Sequence, residues 1–199
     1  MNSIIKGLMR RFGGTQIIKV HYLGMRIIPK KTDLDDVVRV LNYDDFLLGD
    51  KEEFTPAKLE MIKKRFEDDS YKAFGIIENN KLIYSCWISL KILGLPVVLK
   101  EQKQLGPEQG YLEDAYCSIK ARGRGMHTKM ISYRLSRLFD YGKKDGIITV
   151  LDGNLPALKA NLKSGMKDIG VFYCGKILWQ PFCTLTKKKK SFFDKQIVN

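Results

Sequence analysis

The chain has 199 residues, with 35 Lys+Arg against 22 Asp+Glu for a formal charge of +13, and is 44% hydrophobic and 11% aromatic. This length and composition suit one well-buried globular domain and exclude a disordered or fibrous chain. No stretch approaches the ~18 consecutive apolar residues of a membrane span. The opening MNSIIKGLMRRFGG is too interrupted for a secretory leader, so the expected address is cytoplasmic.

The positive balance attracts polyanions: nucleic acid, anionic lipid headgroups or phosphorylated small molecules. No zinc-finger spacing, RRM signature or basic stripe interleaved with aromatics is present, so nucleic acid is not the expected partner. Part of the charge sits in Lys187 to Lys190, read as a solvated tail with membrane-surface attraction as the alternative. Cys86, Cys117, Cys174 and Cys183 are widely spaced, with no C-x-x-C pair and no His cluster. Reduced, mostly buried thiols and no metal are expected.

In chain order, RIIPKKTDLDDVVRVL predicts a short strand, a turn and a helix capped by Thr32 or Asp33, with Leu34, Val37, Val38 and Leu41 on one face. FTPAKLEMIKKRFEDD predicts a second helix, with Pro56 in its first turn. KAFGIIENNKLIYSCWISL predicts a hairpin hinged on Asn79-Asn80. GLPVVLKEQKQLGPEQG reads as a loop, and YLEDAYCSI as a strand. From Met126 the apolar positions Met130, Ile131, Leu135 and Leu138 define one helical face. IITVL predicts a buried strand, NLPALKANLKSG a short capped helix, and VFYCGKILWQPFCTL a last hairpin turning at Gly175.

Between strand and helix lies ARGRGMHTKM, residues 121–130. A glycine-rich turn opening a helix is an anion site in physical terms. The first helical turn offers unpaired N–H groups and partial positive charge, and glycines let a phosphate approach the backbone. Gly123 and Gly125 lie in the turn, Arg122 and Arg124 add charge, and Thr128 offers a hydroxyl. Neither the Walker nor the Rossmann spacing is met. A tight turn with no ligand is the plain alternative.

The surroundings give the motif a context. Arg122-Gly-Arg-Gly125-Met-His127 resembles the Gln/Arg-x-x-Gly-x-Gly/Ala signature of the Gcn5-related N-acetyltransferase (GNAT) superfamily. Asn154, Ala157 and Gly165-Met166 resemble its N-x-x-A/S…G-F segment, and RIIPKKTDLDDVVRVL its opening strand and helix. The resemblance implies an α/β GNAT-like fold: a mixed, mostly antiparallel twisted sheet flanked by helices. The expected organisation is a basic N-terminal extension over residues 1–24, the acetyltransferase domain over 25–186, and a basic tail over 187–199.

The same resemblance implies acetyl-CoA as donor and a small-molecule amine as acceptor. Backbone amides of Arg122, Gly123, Arg124, Gly125, Met126, His127 and Thr128 would hold the pyrophosphate. The strand carrying Tyr116 and Cys117 would pair with the pantetheine arm, an N–H near Cys117 would polarise the thioester carbonyl, and Asn154 would bond the arm from the other side. Two positions depart from the family. His127 stands where a small residue is usual, and Asn161 where a tyrosine often serves as acid for the leaving thiol. An amide cannot supply that proton.

Glu113 and Asp114 are the candidate general bases, adjacent on a strand and therefore expected on opposite faces; ion pairing of both is the plain alternative. Tyr173 and Tyr116 are candidate acids, with packing the simpler role. The expected activity is direct acetyl transfer to a primary amine, a nucleotide-linked amino sugar being the first acceptor considered and a peptide amine the next. The alternative is a non-catalytic GNAT-like module that binds CoA or a polyanion such as RNA or a membrane surface.

Overall fold

A computed structural model describes residues 17–28, 33–95, 102–177 and 180–187. The first strand, β1 (Ile18–Arg26), is followed by a turn, the two-residue β2 (Arg39–Val40), α1 (Tyr43–Leu47) and α2 (Pro56–Phe66). Then come β3 (Tyr71–Glu78), β4 (Lys81–Ser89), the short β5 (Ile92–Gly94) and β6 (Gln102–Gln104), and β7 (Gln109–Cys117). A 3-10 turn at Ile119–Ala121 leads into α3 (Met126–Asp140), β8 (Asp145–Leu151), α4 (Leu155–Lys163), β9 (Lys167–Ile177) and β10 (Gln180–Lys187).

Eight strands form one sheet in the order β10-β9-β1-β8-β7-β4-β3-β2. Every neighbouring pair is antiparallel except β7 and β8, which are parallel. Alternation along the strands sends apolar side chains to both faces. On β4, Tyr84, Cys86 and Ile88 join the cluster under α3, with Leu112, Met130, Ile131 and Leu138, while Trp87 faces Phe46, Phe54 and Ile62 of the α1–α2 region. Over the other half of that second face, Leu93 and Leu95 of the β5–β6 hairpin cover Tyr22, Tyr111, Ile147 and Phe172.

The β3–β4 hairpin turns on Asn79 and Asn80, at φ 50° and 57°, as a tight hairpin with left-handed central residues requires. Thr55 caps α2, with Pro56 in its first turn. α1 begins with a capping box: the Asn42 side chain accepts from Asp45 N–H and the Asp45 carboxylate accepts from Asn42 N–H.

Several expectations change. Residue 24, the expected end of a basic extension, lies inside β1, which pairs with β8 on one side and β9 on the other. Val20, Tyr22 and Leu23 are buried there, and the strand breaks alternation at a register shift between Tyr22 and Leu23. Residues 33–37 form a turn, not a helix. Leu34, Val38 and Leu41 are still buried, but the β-branched run at 37–40 favours extended backbone, and Arg39 and Val40 pair with Gly75 and Phe74. Gly175 is paired with Phe182 inside the last hairpin, so that hairpin turns beyond Ile177. The register sets Cys174 opposite Cys183, Cα atoms 4.1 Å apart, and the two form a disulfide where reduced thiols were expected. The Thr32 cap, residues 1–16 and the tail from 188 onward lie outside the described residues.

Helix α3 is seated on the single parallel join. Gly110 and Gly146 are register partners there, and a Cβ on either would overlap Leu138 or Leu135 of α3. Close helix–sheet approach thus depends on the missing side chains. Gly110→Val should destabilise the protein by about 1–3 kcal/mol through overpacking, measured by urea denaturation, whereas Gly153→Ala, in open space, should leave the midpoint within about 0.5 kcal/mol.

Candidate active site

The pairing of β7 with β8 covers only Gln109↔Asp145, Gly110↔Gly146 and Tyr111↔Ile147. Beyond that, β7 pairs onward only with β4, as far as Cys117, and β8 only with β1, as far as Leu151. The strands therefore part into a wedge whose facing edges carry backbone N–H and C=O groups available to a ligand. Tyr111 spans its narrow end: its hydroxyl donates to the Gly94 carbonyl (3.1 Å) and lies 2.5 Å from Thr149 Oγ1 on β8.

At the open end of β7 the chain enters the glycine turn. Gly123 and Gly125 have φ of +79° and +69°, and a Cβ on either would meet nothing within 4 Å. Gly125 is the N-cap of α3, and no side chain caps this end. The first helical bond runs from Lys129 N–H to Gly125 C=O. The N–H groups of Met126, His127 and Thr128 thus precede the ladder, at the positive end of a 15-residue helix. Arg122 and Arg124 are exposed beside it, Arg122 donating through Nε to the Cys117 carbonyl (3.3 Å). This cradle fits a pyrophosphate by shape, charge and donor set.

His127 does not obstruct it. Its ring turns inward, where Nδ1 and the Tyr84 hydroxyl share a 2.8 Å hydrogen bond. Burial, helped by the Arg134 charge, lowers its pKa to about 4, so the imidazole is neutral at physiological pH. Met126 is half-buried against the core, and Thr128 is half-buried in the first turn.

Glu113 and Asp114 do not lie on opposite faces. The β4–β7 register shifts between Cys86 and Trp87, so that Trp87 faces Glu113 and Cys86 faces Ala115, leaving Asp114 as an extra residue at φ +36°. A bulge breaks strand alternation, and both carboxylates meet one guanidinium. Arg65 Nη2 donates to Glu113 Oε1 (2.6 Å) and Nη1 to Asp114 Oδ2 (2.9 Å). Arg65 comes from α2 and lies over the Trp87 ring, 5.3 Å from its centroid. Burial raises the Glu113 pKa against the opposing pull of Arg65, and Glu113 Oε2 is buried without a partner among the described residues.

The remaining candidates are dispersed. Tyr116 packs edge-on against Phe54, centroids 4.9 Å apart, on the α1–α2 face, and burial raises its pKa. Cys117 is half-buried, and burial raises its thiol pKa too. Asn154 caps α4, accepting from Ala157 N–H (3.2 Å). Asn161 is fully buried; its Nδ2 donates to the Ala157 carbonyl (2.8 Å), while Oδ1 has no partner among the described residues. Tyr173 is on β9, separated from β8 by β1, with Lys19 and Thr184 as register partners. It does not line the wedge. Among the described residues there is no cluster suited to a metal and no helix long and apolar enough to cross a membrane.

Arg65, Tyr84 and Arg134 escaped the sequence reading. Arg134 carried a legible signal: it stands four residues after Met130 on the apolar face of α3.

No family model matches the chain, and neither does any curated protein. Among solved structures it is similar to a putative acetyltransferase of the GNAT family from Novosphingobium aromaticivorans, with 13% identity, TM-score 0.52, and coverage of 80% of this chain and 65% of that one. A Drosophila protein aligns with TM-score 0.56 at 14% identity, covering 89% of this chain and 57% of that one. The aminoglycoside N-acetyltransferase AAC(6')-Iy in complex with CoA aligns with TM-score 0.50 at 13% identity, over 65% of this chain and 90% of that one. The chain spans about two thirds or less of the first structures it matches, at 65%, 65% and 57%. The class defined is one of fold: this is the GNAT acetyltransferase fold.

Two outcomes test this geometry. Gly125→Val puts a β-branched residue at a left-handed φ with its side chain over the cradle, and should weaken acetyl-CoA binding by at least about 10-fold in calorimetry. For His127 the folded pKa is depressed, so its stability contribution is complete above pH ~6.5 and is lost as pH falls toward about 4. The unfolding free energy from urea denaturation should drop across that window by up to about 3 kcal/mol, and His127→Phe should flatten the drop.

Proposed function

We propose that the protein transfers an acetyl group from acetyl-CoA to a primary amine by direct attack. The observation that carries this reading is the wedge between β7 and β8 opening beside the uncapped, glycine-lined start of α3. In this reading the pyrophosphate rests on the 122–128 amides and the pantetheine arm runs along β7 toward Cys117, with Asn154 on the far side. The thioester lies near the bulge, where an N–H of β7 polarises its carbonyl.

The neutral amine forms a bond to the acetyl carbon, the C–S bond breaks, and sulfur leaves with the electron pair. Glu113 is the favoured base, taking the amine proton directly or through water. A buried carboxyl with a raised pKa accepts a proton more readily than an exposed one. Asp114, the other candidate, acts with Arg65 to hold the bulge. Asn161 cannot protonate the leaving sulfur, so that proton comes from water or from the acid form of Glu113. Tyr173, on β9 with β1 between it and β8, has no part in the proposed chemistry.

The acceptor proposed is a small amine. The positive charge suits a nucleotide-linked amino sugar, and the aminoglycoside named for one similar structure is the chemically distinct option. The proposed location is cytoplasmic; Lys187, read from the sequence as the first residue of a basic tail, is the last residue of β10 and pairs with Gly170. A second reading, a non-catalytic module binding CoA or a polyanion, draws on one observation: Glu113 and Asp114 are both ion-paired to Arg65.

Thermal shifts with acetyl-CoA, CoA and free nucleotides, followed by thiol release with amino sugars, aminoglycosides, polyamines and peptides, separate the two. Stabilisation by acetyl-CoA without thiol release on any amine would favour the binding module. Under the enzyme reading Glu113→Gln should lower kcat on the order of 100-fold at neutral pH, and Asp114→Asn much less. The acid limb of the wild-type rate profile should lie above the ordinary carboxylate range, because activity requires ionised Glu113, and should vanish in Glu113→Gln.

A further inference from the structure

Arg134 is the most heavily buried charge of the described residues outside the proposed chemistry. It is 0% exposed, on the face of α3 directed into the core. No carboxylate among the described residues forms an ion pair with it, and a buried guanidinium without one is costly. Two of its nitrogens are engaged by backbone: Nε donates to the Met130 carbonyl (3.4 Å) and Nη1 to the Glu113 carbonyl (3.3 Å). Nη2 is buried with no partner among the described residues. Its uncharged neighbours Tyr84, Cys86 and His127 all feel its field.

The position of that contact matters. Glu113 is the second residue beyond Tyr111, where β7 last pairs with β8, and its carbonyl belongs to the peptide that leads into the bulge at Asp114. The bulge is gripped from both sides: Arg65 takes the two side chains, and Arg134 takes the backbone from beneath α3. Asp114 holds φ +36°, unusual for a residue with a side chain, and persists only if its surroundings fix it. A donor on the Glu113 carbonyl also polarises that trans peptide, strengthening the Asp114 N–H on its opposite edge.

We infer that Arg134 is a positioning residue for acyl transfer: it locks the Glu113–Asp114 peptide at the narrow end of the wedge and places beneath it a positive charge that no carboxylate among the described residues contacts. The inference rests on the acetyltransferase reading. During attack, negative charge grows on the thioester oxygen and then on the departing sulfur. A preorganised amide edge backed by a buried cation stabilises both. This replaces part of what a proton donor at Asn161 would supply.

Arg134→Met, Arg134→Lys and the wild type decide it, by kinetics and by the carbonyl stretch of bound acetyl-CoA labelled with carbon-13 at the thioester carbon. Arg134→Met should lower kcat on the order of 10- to 100-fold, leave the KM for acetyl-CoA within about threefold, and keep or raise the thermal midpoint. The bound carbonyl stretch, displaced to lower wavenumber in the wild type, should return toward its value in water, with Arg134→Lys in between. An unmoved stretch with unchanged kcat, or a fall in kcat that merely follows a fall in thermal midpoint, overturns the inference. If Arg134→Met does not fold, Arg134→Lys carries the same comparison. A wild type that binds acetyl-CoA but acetylates no amine defeats the transferase reading, while the infrared comparison still decides Arg134. A wild type that binds no acetyl-CoA defeats both.

Discussion

The seat of α3 on the Gly110–Gly146 pair governs the rest of the structure. Leu135 and Leu138 press into the space two absent side chains leave at the only parallel join in the sheet. Because α3 is one rigid piece, that seat fixes where its first turn emerges and so where the unpaired amides of Met126, His127 and Thr128 stand relative to the open edges of β7 and β8. The cradle and the wedge are two ends of one constraint. His127 supports the first end: its bond to Tyr84 ties the start of the helix to β4.

The same helix reaches the other end of the wedge through Arg134. From Gly125 to Arg134 is under three helical turns, so cradle and bulge are separated by roughly 13 Å along the axis, at ~1.5 Å per residue. In the proposed reading that is the span the pantetheine arm would bridge. One helix thus carries both the uncapped first turn and the contact to the bulge, and a shift in its seat would disturb both together.

What the sequence made legible followed from local chemistry. The Asn79-Asn80 turn, the Pro56 start, the Asn154 cap and the glycine turn before Met126 are each decided within a few residues, and each appears where those residues dictate. Pairing was not legible. β1 has an ordinary strand pattern, but its place between β8 and β9 is set by partners far off in the chain, such as Leu151 for Val20 and Cys174 for Ile18. The Cys174–Cys183 pair depended on a hairpin turning beyond Ile177 instead of at Gly175, which no count of cysteines gives.

The carboxylates show most clearly how a local rule fails at a site. Alternation assigned Glu113 and Asp114 to opposite faces, and one inserted residue cancelled it. Without the bulge only one carboxylate could reach Arg65; with it, a single guanidinium holds both, and their repulsion is absorbed where the strand must bend away from β8. Charge and strain therefore meet at one peptide, gripped by Arg65 through side chains and by Arg134 through the backbone. A fold needing only stability would have closed this point with a continued β7–β8 ladder and an apolar residue at 134. On the acetyl transfer proposed above, that bulge and buried cation would face the negative charge that grows on the thioester.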